Sequence, residues 1–488
     1  MATEKFDLLS FKGKMKILHM SWFVFFITFV VWFNAAPLMQ AIAASLGVSA
    51  QQLVVLATVN VAIAVPSRVL IGMLTDKYGP RLMYSLLLII GSLPCFWFAM
   101  ATTLEQAALA RFFCGFIGAG FVIGIRLVSE WFPANELGTA EGIYGGWGNF
   151  GSAVAAFTLP TIALWFGGAD GWRYSIALTG LMAFIGGFVF YFNVTDTPRG
   201  STYFKPKSMG AMEVTSVPDL WMLLLMKLPM YICLALLAWR LSPAGFKLIN
   251  QAFTYAIYVV LVIVLAIDYR KVWQTNSHLL KAPVPELHRY KFKQVAILNI
   301  MYFCNFGSEL AVVSVLPLFF ASTFKLTPIM AGVIASTHAF LNLLSRPGGG
   351  WISDKVGRKK SLLVLTLGLS ITYFITSQIR SDWSLVVATA LVMCCAFFVQ
   401  AGEGAVFATV PLIKRRLTGQ IAGMTGAYGN VGAVIYLLIL TFVSYSTFFM
   451  VIGAAAFLGF IALLFMEEPK GHIAEVNEDG SVELIQVG

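Results

Sequence analysis

Apolar runs of about 20 residues recur along the chain from Leu18 to Phe465, and short polar segments separate them. A helix of this length crosses the roughly 30 Å hydrocarbon core of a bilayer. It also satisfies its own backbone hydrogen bonds, as any segment in lipid must. The first run has no clear small-residue cleavage site, so we expect it to be retained. The pattern predicts an all-α polytopic membrane protein.

Composition and charge agree with lipid as the main solvent. Of the 488 residues, 59% are hydrophobic and 11% are charged, and the mean hydropathy is +0.81. The net charge of +10 is not a nucleic-acid-binding patch, because the basic residues fall in alternate loops. The positive-inside rule assigns those loops to the cytoplasm, so we expect both termini there and an even number of spans. The basic segments include Lys12, Lys14, Lys16, Lys77, Arg81, residues 355–360 and residues 414–416.

An internal repeat divides the chain into two halves. The stretch Ser67-Arg68-Val-Leu-Ile-Gly-Met-Leu-Thr-Asp76 recurs as Ser345-Arg346-Pro-Gly-Gly-Gly-Trp-Ile-Ser-Asp354. A second pair of matching stretches, around residues 148–151 and 429–432, keeps nearly the same offset. Parallel halves of six spans with a substrate site between them are the plan of the major facilitator fold. The sequence predicts this fold, with six-helix bundles at residues 17–194 and 295–466.

Residues 195–294, between the halves, lie outside the repeat and hold two further apolar stretches at about 221–241 and 250–267. We predict that they form an extra hydrophobic hairpin, which gives 14 spans, with 12 as the alternative. Lys227 lies in the first stretch and would need to reach toward the membrane surface. Residues 1–16 and 467–488 are predicted to be cytoplasmic, the second as a partly disordered polar tail.

Two matching loop patterns indicate a gate. Gly72-x-x-x-Asp76-Lys-x-Gly-x-Arg81 follows the second span, and Gly350-x-x-x-Asp354-Lys-x-Gly follows the eighth. Each aspartate can cap a neighbouring helix N-terminus or pair with a basic group. Such a contact can form and break as the two halves rock against each other.

Arg126 and Glu130 lie one helical turn apart near the cytoplasmic end of the fourth span. They are candidates for the same gating network. The alternative is a local ion pair without a conformational role.

Arg68 and Arg346 occupy the same place in the two halves, each inside an apolar span and two turns before its gating aspartate. An arginine at membrane depth is costly and usually functional. Its planar fork of donors matches the oxygens of a planar anion, so two facing arginines predict an anion-binding site. The alternative is that each arginine is a structural bolt to a buried carboxylate or to carbonyl groups.

Glycine-rich runs in the fifth and eleventh spans both end in Gly-Asn-x-Gly. Glycines allow close helix contact and bring backbone near a substrate, although such spacing alone usually reflects packing. The asparagines add an amide donor at membrane depth. The predicted substrate-binding residues here are Gly148, Asn149, Gly429 and Asn430.

These features resemble the nitrate/nitrite porter family, and in particular its cyanobacterial-type nitrate permeases. The resemblance covers nearly the whole chain and is carried by the paired arginines and by four stretches. The stretches are Gly145-Gly-Trp-Gly-Asn149-Phe-Gly, Gly426-Ala-Tyr-Gly-Asn430-Val-Gly, Tyr302-Phe-Cys-Asn-Phe-Gly-Ser-Glu309 and Gln400-Ala-Gly-Glu-Gly-Ala-Val-Phe-Ala-Thr-Val-Pro411. The central hydrophobic insertion departs from many members of the family.

The resemblance implies uptake of nitrate, and also of nitrite, with the anion held between the two arginines. It further implies that Tyr302 hydrogen-bonds the anion and that Phe306 lines the site. A packed core aromatic is the alternative for Tyr302. The expected partners are nitrate, nitrite, protons and membrane lipid, and the expected state is a monomer in the bacterial plasma (inner) membrane.

Nitrate is ionised at every physiological pH, and carrying its charge into a negative interior costs about 2.3 kcal/mol per 100 mV. Uptake therefore needs symport with two or more cations, for which we expect protons, or exchange for internal nitrite. Glu309 and Glu403 are acids at membrane depth that can bind protons or neutralise an arginine. His338 is a third proton-coupling candidate, with a packed core histidine as the alternative.

Other classes of protein fit the sequence less well. The six cysteines have no metal-ligand spacing, and we find no nucleophile motif or phosphate loop, so we expect no enzyme, metal or cofactor. A facilitator for larger organic anions should have more convergent polar side chains and less glycine. A channel would not need the paired gating loops.

Overall fold

Long helices make up nearly all of the described chain. The computed structural model describes residues 6–48, 56, 60–61, 63–167, 170–206, 211–245, 247, 249–281, 284–285, 289–326, 328–476 and 482–486. The helices up to residue 193 are α1 (Gly13–Phe33), α2 (Met39–Leu46), α3 (Ala64–Tyr78), α4 (Pro80–Met100), α5 (Leu104–Cys114), α6 (Gly120–Trp131), α7 (Ala134–Phe166) and α8 (Gly171–Asn193). The next two are α9 (Val217–Leu241) and α10 (Gln251–Asn276). The remainder are α11 (Phe292–Phe324), α12 (Pro328–Phe340), α13 (Asn342–Val356), α14 (Arg358–Thr376), α15 (Leu385–Thr409), α16 (Thr418–Leu440) and α17 (Tyr445–Leu464).

By length and composition, 12 helical segments of the described ranges can cross a membrane. The sequence prediction of 14 spans is therefore not supported. The 12 include the two segments of the central region, Val217–Leu241 and Gln251–Leu280. They do not include α3 and α13, because each has only 15 residues and carries an arginine, an aspartate and a lysine.

The central helices α9 and α10 are joined by a buried polar contact. Lys227 Nζ lies 2.8 Å from Asp268 Oδ2, and Lys227 is only 6% exposed. The lysine therefore pairs with an aspartate of the neighbouring helix, a contact that the sequence analysis did not predict. The hydroxyl of Tyr428 on α16 donates to the Met226 carbonyl 2.5 Å away, which ties α9 to the second half.

A glycine precedes α4 in the first half and α14 in the second, and a carboxylate caps the start of each of these two helices. Gly79 and Gly357 precede α4 and α14 with φ of 88° and 107°, a conformation that glycine adopts without a Cβ clash. Asp196 then accepts from the Arg81 amide at 2.7 Å, and Glu468 accepts from the Lys359 amide at 2.7 Å. Burial raises the pKa of the Asp196 carboxyl above its ordinary value. In each half a carboxylate beyond the last helix therefore caps the helix that follows the repeated glycine, α4 or α14, so the repeat extends to helix capping.

The C-terminal tail forms two short antiparallel strands, β1 (His472–Val476) and β2 (Val482–Gln486), with Glu475 opposite Glu483. The sequence analysis did not predict these strands. Each contains β-branched residues, as in Ile473-Ala-Glu-Val and Val482-Glu-Leu-Ile, which favour extended backbone.

Glycines allow helices of opposite halves to cross closely. A Cβ on Gly350 of α13 would overlap the Gly138 carbonyl of α7, and a Cβ on Gly423 of α16 would lie 2.5 Å from the Arg68 carbonyl of α3. The pairs α7–α13 and α3–α16 therefore approach backbone to backbone. This contact places the two repeated arginines at the interface between the halves.

We predict that Gly350→Ala destabilises the protein by about 1–3 kcal/mol, because the new methyl group would separate α7 from α13. Gly348→Ala is the matched control: it lies in the same helix, and a Cβ there meets no described atom within 4 Å. It should leave stability unchanged or improve it slightly. Thermal unfolding of the purified variants in detergent measures both, and equal melting temperatures would contradict the close crossing.

Candidate anion-binding site and gate

Arg68 is buried, at 1% exposure, at the interface of the two halves. Its Nε donates to the Gly118 carbonyl at 3.3 Å and its Nη1 to the Gly426 carbonyl at 2.9 Å. Gly118 lies in the 3₁₀ turn between α5 and α6, whose irregular backbone leaves a carbonyl for the arginine. Within the described ranges Arg68 has no salt bridge, and no recorded hydrogen bond uses Nη2. One donor nitrogen and the full positive charge therefore remain for a ligand.

Arg346 has a different environment from its repeat partner. Its Nη1 lies 2.6 Å from Glu403 Oε2, and its Nη2 donates to the Tyr302 hydroxyl at 3.1 Å. The Tyr302 oxygen accepts this bond, so its own proton remains available to a ligand oxygen. Glu403 was predicted either to bind protons or to neutralise an arginine. In this structure it forms an ion pair with Arg346.

A cluster of aromatic rings connects the two arginines. The guanidinium carbons of Arg68 and Arg346 lie 5.6 and 5.1 Å from the centroid of the Phe121 ring. Phe306 lies 5.2 Å from the Arg68 carbon and stacks on Tyr302 with centroids 5.1 Å apart. Rings around a guanidinium attract its charge and exclude water. The two positive groups therefore share one small, apolar-walled environment.

Glycines allow these side chains to approach the helices that face them. A Cβ on Gly145 would lie 2.5 Å from Arg346 Nε, and one on Gly426 would lie 3.2 Å from Arg68 Cδ. A Cβ on Gly429 would lie 2.7 Å from the Phe306 ring. Gly148 instead faces the Phe25 ring of α1. The structure thus brings Gly429 to the arginine cluster, while Gly148 serves helix packing.

The two repeated asparagines make no recorded contact with either arginine. Asn430 Nδ2 donates to the Gly426 carbonyl of its own helix at 3.2 Å. Asn149 is buried, at 8% exposure, and its carbonyl accepts from Ser152. The two asparagines directly follow Gly429 on α16 and Gly148 on α7, and their role in binding remains a prediction.

A second polar cluster lies farther along the second half, away from the gating aspartates. Glu309 Oε1 accepts from Asn342 at 2.6 Å and from Gln400 at 3.4 Å. Gln400 Nε2 also donates to the His338 carbonyl at 2.8 Å. The charges of Glu309 and Glu403 act on each other, so this cluster extends from His338 to the arginine site.

The gating aspartates cap helices of the opposite half. Asp76 accepts from the amides of Gly419 and Gln420, both at 2.8 Å, at the start of α16. Asp354 accepts from the amides of Gly138 and Thr139, at 2.8 and 2.7 Å, near the start of α7. We call the end of the bundle that contains these caps the motif end. The two reciprocal caps join the halves there.

Arg126 and Glu130 belong to this network. Arg126 Nε lies 3.4 Å from Asp76 Oδ1, its Nη2 lies 3.0 Å from Glu130, and its Nη1 donates to the Arg415 carbonyl of the second half. Arg415 Nη2 in turn lies 3.4 Å from Glu130. The pair therefore spans the two halves and is not merely local.

Tyr203 covers the same network from the segment after α8. Burial raises the pKa of the Tyr203 phenol, which remains a neutral donor to the Thr75 carbonyl at 2.7 Å. Arg81, predicted for the gate, lies elsewhere: its Nε donates to the Tyr191 carbonyl at 2.8 Å. Its backbone amide is held by Asp196, so Arg81 connects helices within one half.

Comparison with known proteins agrees with this architecture. The family model of the Major Facilitator Superfamily matches residues 21–272 and 298–486 of this chain. The nitrate/nitrite transporter NrtP of Picosynechococcus sp. is 48% identical, over 98% of this chain and 97% of its own length. The chain belongs to the nitrate/nitrite porter family of the Major Facilitator Superfamily.

Two further proteins support the family and the fold. The nitrate/nitrite transporter NrtP of Nostoc punctiforme is 44% identical, over 98% of this chain and 97% of its own length. The solved structure of the proton:xylose symporter XylE covers 93% of this chain and 96% of its own, with a TM-score of 0.64 and 14% identity. This porter is therefore a multi-pass membrane transporter and not an enzyme.

Sequence analysis of the porter missed three residues of the interface. Phe121 gave no signal beyond an apolar position. Arg415 was counted only as a basic loop residue. Glu141 on α7 is 1% exposed, and it directly precedes the glycine-rich run of the fifth span. An acid inside a membrane span is the signal that singled out Glu309 and Glu403.

We predict that Asp354→Asn opens the motif end of the porter, because it removes a charged cap worth about 0.5–2 kcal/mol. The reporter is a cysteine at Ala408, which is fully buried and faces Gly138, in a variant whose native cysteines are alanine. Labelling by a water-soluble maleimide should rise in Asp354→Asn. It should stay unchanged in Asp382→Asn, whose side chain is exposed. Equal labelling of the two would show that the cap does not hold the gate.

Proposed function

We propose that the protein takes up nitrate, and also nitrite, by alternating access, with the anion held between Arg68 and Arg346. The observation that carries the proposal is the buried Arg68 guanidinium, which has no carboxylate partner among the described residues. A buried charge is costly unless it is paired, and an anionic substrate supplies the missing charge. The names of the two cyanobacterial relatives identify this class of anion.

The shape of the site favours a small planar anion. Nitrate and nitrite present their oxygens in one plane, which matches the planar donor forks of two arginines. The Tyr302 hydroxyl adds a donor, and the nearly parallel rings of Tyr302 and Phe306 provide a flat wall with an interplanar angle of 9°. Close packing of Gly429 against both rings leaves little room for the bulk of an organic anion.

The gate supports alternating access. With Asp76 and Asp354 capping helices of the opposite half, the motif end is closed. Opening that end breaks both caps and the Arg126 contacts with the second half. Binding of the anion near both arginines draws the two halves together around the site. This favours the change from the state closed at one end of the bundle to the state closed at the other end.

The arrangement of Glu403 supports coupling to protons. Glu403 is bonded to the same guanidinium that binds the anion, so proton binding to Glu403 releases Arg346 for nitrate. One proton makes the transported charge zero, and a second makes the movement inward favourable at a negative interior potential. Glu309 and His338, in the adjoining polar cluster, provide a route by which protons reach Glu403.

We place the protein as a monomer in the bacterial plasma membrane, with the motif end and both termini toward the cytoplasm. The basic loops adjoin the motif end, which supports this orientation by the positive-inside rule. Nitrate then enters at the opposite end and leaves at the motif end.

We predict that Arg68→Lys and Arg346→Lys each lower nitrate uptake at least about tenfold, because lysine keeps the charge but loses the paired hydrogen bonds of the fork. The measurement is uptake of labelled nitrate by the purified protein in sealed liposomes, with and without an inward proton gradient. Arg380→Lys, at an exposed position, is the control and should behave like the wild type.

The same measurement separates the open alternatives. Uptake that ignores the proton gradient and requires internal nitrite would make the protein an exchanger. No nitrate flux in the wild type under either condition would refute the proposed substrate.

We predict that Glu403→Gln lowers nitrate-driven proton uptake, because the neutral amide no longer exchanges a proton at Arg346. A pH-sensitive dye inside the liposomes measures the proton movement when nitrate is added outside. Glu475→Gln, in the polar tail, is the control. Unchanged proton uptake in Glu403→Gln would exclude this glutamate from coupling.

A further inference from the structure

We propose that Glu141 is a second proton-binding site of the transporter, on the motif-end side of the anion site. The inference rests on the proposed function as a proton-coupled nitrate porter. It names the group that holds a proton on the path between the arginines and the gate.

The first argument is that the Glu141 carboxyl is buried without a partner. The residue is 1% exposed, and neither carboxylate oxygen has a hydrogen-bond partner among the described residues. Glu403, by comparison, has one oxygen 2.6 Å from an arginine nitrogen. Burying an ionised carboxylate without donors costs far more than burying the neutral acid. With the motif end closed, Glu141 therefore carries a proton.

The second argument is the position of Glu141 on α7. Gly145, one turn further along the same face, abuts Arg346 Nε, and Gly138, nearly one turn before it, donates to Asp354. The neighbouring Gly142 would place a Cβ 2.6 Å from the Arg346 carbonyl. Glu141 thus lies between the anion site and the gating cap, at the interface that separates when the motif end opens.

The charged and titratable groups around Glu141 are few. The charges of Arg346 on α13 and of Arg415, in the turn before α16, act on its carboxyl. Tyr144 on the same helix also interacts with it, but the Tyr144 hydroxyl is bonded to Tyr84 and to the Gly120 carbonyl. Glu403 on α15 is held by Arg346. Among the described residues, Arg346 and Arg415 are thus the cations within electrostatic reach of Glu141, which hydrogen-bonds to neither.

This placement gives Glu141 a defined step in transport. When the motif end opens, water reaches the carboxyl, which loses one proton to that compartment and becomes a carboxylate. Nitrate leaves Arg346 in the same step, so Arg415, together with Arg346 shared with Glu403, compensates the new negative charge while the protein returns. When the opposite end opens, the carboxylate takes up one proton from that compartment and becomes the neutral acid again. Together with Glu403, Glu141 accounts for the two protons that make nitrate uptake favourable.

The test compares Glu141→Gln with the wild type in sealed liposomes in two modes. Counterflow, the exchange of labelled for unlabelled nitrate at equal pH on both sides, needs no net proton movement. Uptake driven by an inward proton gradient does. Glu136→Gln is the matched control, because it makes the same substitution on α7 at a partly exposed acid paired with Lys14.

Glutamine imitates the protonated acid, so Glu141→Gln should keep counterflow and lose part of the stimulation by the proton gradient, because Glu403 still couples one proton. The number of protons taken up per nitrate, measured with an internal pH dye, should fall relative to the wild type, and Glu136→Gln should retain both properties. Full stimulation in Glu141→Gln would overturn the proposal. Loss of counterflow or of folding would overturn it as well, because a neutral isostere should be tolerated at a site that is neutral when the motif end is closed.

The wild type in the same assay separates this inference from the proposed function. Absence of nitrate counterflow in the wild type would refute the nitrate porter itself. Counterflow in the wild type without gradient stimulation would refute proton coupling, and with it the role of Glu141, while leaving the two-arginine site intact.

Discussion

The positive charge of Arg68 is the constraint on which the rest of the structure depends. The guanidinium is buried among three aromatic rings, and within the described residues its recorded hydrogen bonds go only to backbone carbonyls. Carbonyl dipoles lower the cost of that charge but do not cancel it. An anion does, and the second arginine beyond Phe121 raises the attraction further. Gly145 of α7 and Gly426 of α16 follow from this constraint, because a Cβ at either position would press against an arginine side chain.

The gate and the site are parts of the same helices. Arg68 and Asp76 lie two turns apart on α3, and Arg346 and Asp354 lie two turns apart on α13. A shift of either helix that accommodates the anion therefore acts on the cap at the motif end. Each aspartate reaches across to the half that does not contain it, so in the proposed mechanism the two caps close and open together. The internal repeat therefore supplies the contacts between the halves as well as their common fold.

Much of this arrangement follows from local sequence, and the rest depends on tertiary contacts. The repeat located both arginines and both gating aspartates, because a charge in an apolar span and a glycine at a helix end are local signals. The different partners of Arg68 and Arg346 were not predictable, since Gly118 and Glu403 are remote in sequence. Phe121 carries no local signal at all. The short α3 and α13 lowered the number of long apolar spans, and the few β-branched residues of the tail strands did not outweigh the acidic composition of the tail.

The measurement that tests the central claim most directly is a structure determination of the purified protein with nitrate, followed by the same experiment with Arg68→Lys. The account predicts a planar anion within hydrogen-bonding distance of Arg68, Arg346 and the Tyr302 hydroxyl, beside the Phe121 ring. In the lysine variant the anion should be absent or displaced toward Arg346. Nitrate bound elsewhere, with Arg68 still held only by the Gly118 and Gly426 carbonyls, would contradict the account.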